Sequence, residues 1–282
     1  MRALCVALVA ACGGAPAARP AAPARLDCSE EPQDPSARDR CIGFALDQVM
    51  TSVVFHLHGD RALAAYVDRV GARIAAHAGR PDLRFRFRVI DDPEPQGHSL
   101  LGGYIYVTTG ALARLRSEAE LAALLAHEVA HAALDHGDGL LEIDDDLVLS
   151  DPGAIRRRLA HARDDEIEAD ERAVSLLVAA GYDPAAMIAM LRRVDCAPDP
   201  IDPLDLAHEP LPRRLARIAR AIDGRTGGER GQSRYLRQLP PGILPAPPAG
   251  RTIASSCGGP GQPSPRQVSS PRSPARRPPR AR

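Results

Sequence analysis

"LLAHEVAHAALDH", residues 124–136, places His127 and His131 four residues apart with Glu128 beside the first. An Ala/Leu-rich run of this kind predicts a helix, and on a helix residues i and i+4 share a face. Both imidazoles can then present a ring nitrogen to one metal ion. Glu128, one step round, is placed to hold a metal-bound water. Zinc lowers the pKa of such a water towards 7, and a glutamate takes its proton as it attacks a polarised carbonyl. The competing reading is an amphipathic helix with two satisfied histidines. Against it, Ala126, Val129, Ala130, Ala132 and Ala133 surround the triplet with small apolar side chains. Polar groups buried in that setting need a partner, and a metal supplies one.

A catalytic zinc has three protein ligands and one open position, so a third ligand must lie elsewhere. His136 does not supply it through the pattern H-E-x-x-H-x-x-G-x-x-H. That pattern needs Gly and His where this chain has Leu134 and Gly137. A glutamate on a second, downstream helix is the other common solution. "DDEIEAD" (164–170) offers Glu166 and Asp170, four apart on one face of a predicted helix, with Glu168 turned away. One carboxylate could bind zinc while the other fixes a ligand histidine's free N–H. The same residues also suit a solvated acidic first turn favoured by the helix dipole.

Around this nucleus the 282 residues form one domain with tails. Net charge is zero, so nothing global argues for nucleic acid, and aromatics are sparse. "CIGFALDQVMTSVVFHLH" (41–58) and "RALAAYVDRVGARIAAHA" (61–78) have helical spacing. "LRFRFRVI" (83–90) alternates like a half-buried strand, and "GGYIYVTTG" (102–110) reads as a second strand. Ser117-x-x-Glu120 is a capping box ahead of the histidine helix. Residues 137–153, with Gly and an acidic patch, predict a surface loop. Helices are expected over 163–181, 184–194 and 211–222. The expected fold is α+β, mostly helical with a small β-sheet, over residues 38–225.

The ends of the chain read differently. One Arg precedes a nine-residue apolar run, Ala3 to Ala11, which is too short to span a bilayer and reads as an export signal. Val9-Ala10-Ala11-Cys12 looks like a lipobox, with Cys12 as the lipid carrier; a plain signal cut after Ala15-Pro16-Ala17 is the alternative. Residues 1–12 are thus the signal segment, and 13–37 an Ala/Pro-rich linker. Lipid on one terminus tethers a protein to a membrane surface without spanning it. Four cysteines remain, Cys28, Cys41, Cys196 and Cys257, which allow three pairings. An exported compartment permits disulfides, and 28–41 with 196–257 is the local pairing. Residues 226–282, rich in Pro, Ser and Arg, read as a disordered basic tail. That tail is either an inert solvated segment or a contact for anionic lipid or cell-wall polymer. No later segment has 18 apolar residues in a row, which argues against a multispanning membrane peptidase.

The stretch "RVIDDPEPQGHSLLGGYIYVTTGALARLRSEAELAALLAHEVAHAALDH", with "RDDEIEADERAVSLLVAAGYDPAAMIAMLRRV" and "HEPLPRRLARI", resembles the HtpX-like, CAAX-prenyl-protease-type zinc metallopeptidases, in particular their soluble periplasmic lipoprotein branch. The resemblance covers roughly residues 40–222 and implies a zincin-like domain binding one zinc per chain. It implies Glu166 of E-x-x-A-D as the third ligand and Asp170 as the support of a histidine ligand. It places His208 late in the chain above the metal, to steady the oxyanion or modulate the water, with Arg214 at the family's arginine position. It further implies that Tyr104–Thr108 is an edge strand of the cleft. Gly102, Gly103, Tyr104, Ile105 and Tyr106 would then take up an extended peptide by strand addition. The chain departs from the family in two places. "QGHSLLGG" (96–103) stands for the usual N-A-F-A-x-P-G-G, and the family's H-P pair reads His208-Glu209-Pro210. The expected function is a zinc metalloendopeptidase of the bacterial periplasm or envelope, cutting unfolded or misassembled proteins. A zinc-containing, chaperone-like lipoprotein with latent peptidase activity is the alternative, and the acidic loop 142–151 would cover the cleft in a self-inhibited state.

Overall fold

A computed structural model describes residue 28 and residues 35–136, 152–194 and 210–243. In chain order the elements are α1 (Pro35–Val49), a π turn (Met50–Val54), α2 (Arg61–Ala75), β1 (Arg86–Ile90), β2 (Gly97–Leu100), β3 (Tyr104–Thr108), α3 (Thr109–Arg114) and α4 (Glu118–Ala133). They are followed by α5 (Pro152–Ala179), α6 (Ala186–Val194), α7 (Leu211–Ile222) and α8 (Gln232–Gln238). Helices dominate and one small mixed sheet completes an α+β fold.

The centre of the domain is α4, the helix of the opening motif. Every residue from Glu118 to Ala130 is buried, as expected of a helix that is apolar on all sides. Its start is fixed by the predicted cap: Ser117 Oγ accepts from Glu120 N at 3.2 Å, and the Glu120 carboxylate accepts from Arg116 N at 2.8 Å. The alanines of α4 let α2 and α5 approach closely. Leu63, Tyr66, Val67, Val70 and Ile74 of α2 face it, at the spacing that predicted that helix. Asp60 caps α2, accepting from Ala62 N and Leu63 N.

The sheet has the order β1-β3-β2, with β1 parallel and β2 antiparallel to β3. Its register pairs Phe87 with Ile105 and Ser99 with Ile105 across the two ladders. Phe87, Val89, Ile105 and Val107 join the main core with α2 and α4. Ile90, Leu100, Tyr104 and Tyr106 form a second cluster with Leu46, Met50 and Phe55 beneath α1. The sheet is therefore a layer between α1 and the α2/α4 pair. Asp47 pins α1 to it, accepting from Tyr106 Oη at 2.5 Å and Arg88 Nη2 at 2.9 Å.

Several expectations need correction. β3 is the central strand, not an edge, because β1 and β2 occupy both of its hydrogen-bonding sides. Tyr104, Ile105 and Tyr106 are buried core residues and are not available to a peptide. Gly102 and Gly103 adopt left-handed φ values of 75° and 86°, which serve the protein's own chain. A Cβ at Gly102 would lie 3.0 Å from Arg40 Cα, and one at Gly103 would lie 3.3 Å from Phe85 Cα. β2 was not anticipated and forms the sheet's edge on the α4 side. The strand expected from residue 83 starts at Arg86, and the helix expected over 41–58 gives way to the π turn at Met50.

The domain also runs beyond residue 225, so the boundary at 225/226 is wrong. Tyr235 is fully buried and donates to Leu112 O at 2.6 Å, while Leu239 and Ile243 join the core. Arg234 bonds the buried Glu118 at 2.5 Å, and Glu118 also accepts from Tyr66 and Tyr182. These bonds outweigh the burial that would raise the Glu118 carboxyl and hold it below the ordinary range. Cys28 and Cys41 form the expected disulfide. Cys12, His208, the 142–151 loop and the 196–257 pair lie outside the described residues. No helix among the described residues is long and apolar enough to cross a membrane.

Candidate metal centre

Two packed helices, the buried α4 and the half-exposed α5, bring the candidate ligands together. α4 carries His127, Glu128 and His131, and α5 packs along it carrying Glu166 and Asp170. His127 Nε2 and His131 Nε2 are 3.1 Å apart. Glu166 completes the triangle, with Oε2 at 3.4 Å from His127 Nε2 and Oε1 at 3.2 Å from His131 Nε2. Four donors set tetrahedrally about 2.0–2.1 Å from one ion lie about 3.3–3.4 Å from each other. The three observed edges fit that size. This is the one group of His, Cys, Asp and Glu donors among the described residues that clusters closely enough to hold a metal.

The surroundings favour a cation as well. Asp170, 1% exposed, sets Oδ1 at 3.1 Å from His127 Nδ1, close but poorly aligned for a hydrogen bond. Arg214, which the resemblance singled out, reaches in from α7. Its Nε and Nη2 donate to Asp170 at 2.6 and 2.8 Å, and Nη2 also donates to Glu166 at 3.3 Å. Burial would raise the Asp170 carboxyl, but Arg214 and His127 outweigh it and hold it below the usual carboxylate range. For His127, burial works to lower the pKa, yet Glu166 and Asp170 push it up to about 10. Where no metal is bound, a proton answers the same negative field. Three carboxylates (Glu128, Glu166, Asp170) against one guanidinium leave an excess of two negative charges. A divalent ion matches that excess.

Glu128 sits beside the triangle, 7% exposed, and no hydrogen bond among the described residues engages its carboxylate. Its Oε1 would be only 2.6 Å from a Cβ placed on Gly97, the first residue of β2. The edge strand thus runs against the candidate base, and a side chain at this position would displace the Glu128 carboxylate from where it stands. A narrow groove lined by Ser99, Leu100, His131 and Asp135 runs from β2 towards Asp39 of α1. His136 stays out of the triangle, as its spacing requires, but its Nδ1 lies 3.2 Å from His131 Nδ1. Its other nitrogen is 3.5 Å from Glu168. Neither this contact nor the role of Gly97 was read from the sequence. A glycine opening a four-residue strand gives no local signal of what it faces.

Residues 61–147, which span α2 to the end of α4, match the sequence model of peptidase family M48. This part of the chain is similar to the M48 peptidases. A mitochondrial metalloendopeptidase OMA1 from Schizosaccharomyces pombe is 42% identical over 85 residues, 28% of this chain and 25% of the relative. A putative beta-barrel assembly-enhancing protease from Vibrio cholerae is 28% identical over 161 residues, 48% of this chain and 33% of the relative. The Escherichia coli beta-barrel assembly-enhancing protease is 23% identical over 164 residues, 49% of this chain and 34% of the relative. The chain thus spans about a quarter to a third of the length of these curated relatives.

Proposed function

We propose that this protein is a zinc metalloendopeptidase, with His127, His131 and Glu166 as ligands of one zinc and Glu128 as general base and acid. The observation that supports it most is the closed triangle of donors with an unengaged carboxylate beside it, under an open sheet edge. Bound there, zinc would act as a Lewis acid on a substrate carbonyl and lower the pKa of an attacking water towards 7. Glu128 takes the proton from that water and returns it to the leaving amide nitrogen, so the peptide bond is cleaved without net proton release to the site. Asp170 orients His127, and Arg214 holds both Asp170 and Glu166 in place. His208 is assigned to the developing oxyanion.

β2 supplies the binding mode. Its inner side pairs with β3, and no backbone hydrogen bond among the described residues occupies its outer side. An extended polypeptide added along Gly97–Leu100 would lie directly over Glu128, held by main-chain bonds with little side-chain demand. Such recognition suits unfolded or misassembled polypeptide, and the relatives named beta-barrel assembly-enhancing proteases support a client of that kind. The export-signal reading, with Cys12 as lipid carrier, supports a location in the bacterial periplasm or envelope, tethered to a membrane.

The test is Glu128→Gln in the full chain. It is expected to keep about one zinc per chain by elemental analysis and to lose cleavage of unfolded casein by about a hundredfold or more. Equal cleavage by variant and wild type refutes the assignment of Glu128. Wild type that holds zinc, suppresses casein aggregation and cuts nothing instead makes the protein a zinc-containing chaperone. Wild type that holds no zinc refutes the metal centre.

A further inference from the structure

Seven large hydrophobic side chains are exposed among the described residues, and five of them fall in one short segment: Phe44, Val49, Val53, Val54 and Leu57. Val178 and Leu236 are the others, single and far apart in sequence. Scattered exposed apolar residues are ordinary, whereas a contiguous patch marks an interaction surface. The outward side of α1 and the π turn presents Phe44, Ala45, Gln48, Val49, Ser52 and Val53. It carries no charge at all. Between Cys41 and Gly59 the only Asp, Glu, Lys or Arg is Asp47, and that side chain is buried against the sheet. The sheet separates this surface from α4, so the patch is not a wall of the candidate cleft.

The Cys28–Cys41 disulfide indicates what covers it. The bond pins the segment that precedes α1 to the second turn of α1 itself. Cys28 lies only 16 positions after Cys12. With lipid on Cys12, a reading on which this argument rests, the uncharged surface is held within about 55 Å of the bilayer even at full stretch. Tethering makes docking intramolecular, so a modest affinity of the patch suffices. We propose that the outward face of α1 and the π turn is a membrane-docking face that settles into the interfacial region of the tethering bilayer. Because the face is uncharged, apolar burial and not lipid charge drives its binding.

The experiment uses the full chain with Cys12→Ser, which cannot be acylated, and sedimentation with lipid vesicles. The expected result is binding to phosphatidylcholine vesicles, little changed by added phosphatidylglycerol or by high salt. Phe44→Asp with Val53→Asp is expected to lower that partition at least about tenfold, while Val178→Asp leaves it unchanged. Casein cleavage in solution is expected to be the same for all of these variants, which shows that they fold. Absence of vesicle binding, or equal binding by the double variant, overturns the proposal. Binding only to phosphatidylglycerol that collapses in high salt assigns it to arginines and overturns it too. If the double variant instead turns a dimer into a monomer in sedimentation velocity, with no vesicle binding, the face belongs to a second copy. The mass of the purified wild-type chain tests the lipid on Cys12 separately.

Discussion

Replacing Arg214 by Met gives the sharpest check on the supporting layer around the ligands. The guanidinium is 5% exposed and makes two short bonds to Asp170, itself 1% exposed, and a third to Glu166. Removing it leaves a buried carboxylate whose remaining contact is the misaligned His127 Nδ1. Breaking a buried ion pair from one side costs about 3–5 kcal/mol. For a domain of this size that corresponds to a fall in Tm of about 6–20 °C. Urea and thermal unfolding followed by circular dichroism measure it, with EDTA present so that bound metal does not contribute. A double variant, Arg214→Met with Asp170→Leu, removes both charges and is expected to recover most of the loss. A cost below about 1 kcal/mol, the size of an exposed pair, refutes the reasoning, as does a double variant no more stable than the single one.

Gly97→Ala is expected to cut casein cleavage sharply while zinc content and Tm hold, because the new Cβ meets Glu128 Oε1 at 2.6 Å and displaces it; unchanged cleavage would mean that β2 does not set the base. The metal-free protein should also lose stability on the alkaline side. The folded pKa of His127 is raised from its ordinary 6.5 to about 10, so its stabilising contribution is complete below pH 6.5 and is lost as pH rises towards 10. Urea midpoints of EDTA-treated protein should fall across that window and fall less with zinc bound, since the metal takes the proton's place; parallel pH profiles would refute it.

What the sequence disclosed follows the reach of its signals. His127, Glu128 and His131 lie within five residues, so helical periodicity alone puts them on one face. Glu166 and Asp170 were legible as a pair for the same reason, but their approach to the histidines depends on how α5 packs on α4. Family resemblance, not spacing, singled out Glu166. Strand order is a long-range property: the Tyr/Ile/Val alternation of β3 looks the same at an edge and in the middle of a sheet. β2 escaped because Gly97-His98-Ser99-Leu100 has little strand preference and owes its conformation to pairing with β3. Residues 226–243 looked like tail because Pro, Gly, Ser and Arg make up more than half of them. Three apolar side chains four apart, Tyr235, Leu239 and Ile243, decide otherwise.

The division of the donors between α4 and α5 bears on how the protein comes into being. During synthesis the histidine pair leaves the ribosome well before Glu166, and neither half can grip an ion firmly by itself. The third donor arrives only when α5 closes on α4, the same event that builds the core. Cutting power, on the proposed reading, is therefore withheld from the nascent chain and from any unfolded copy. A peptidase whose proposed clients are unfolded polypeptides is, while unfolded itself, only a client.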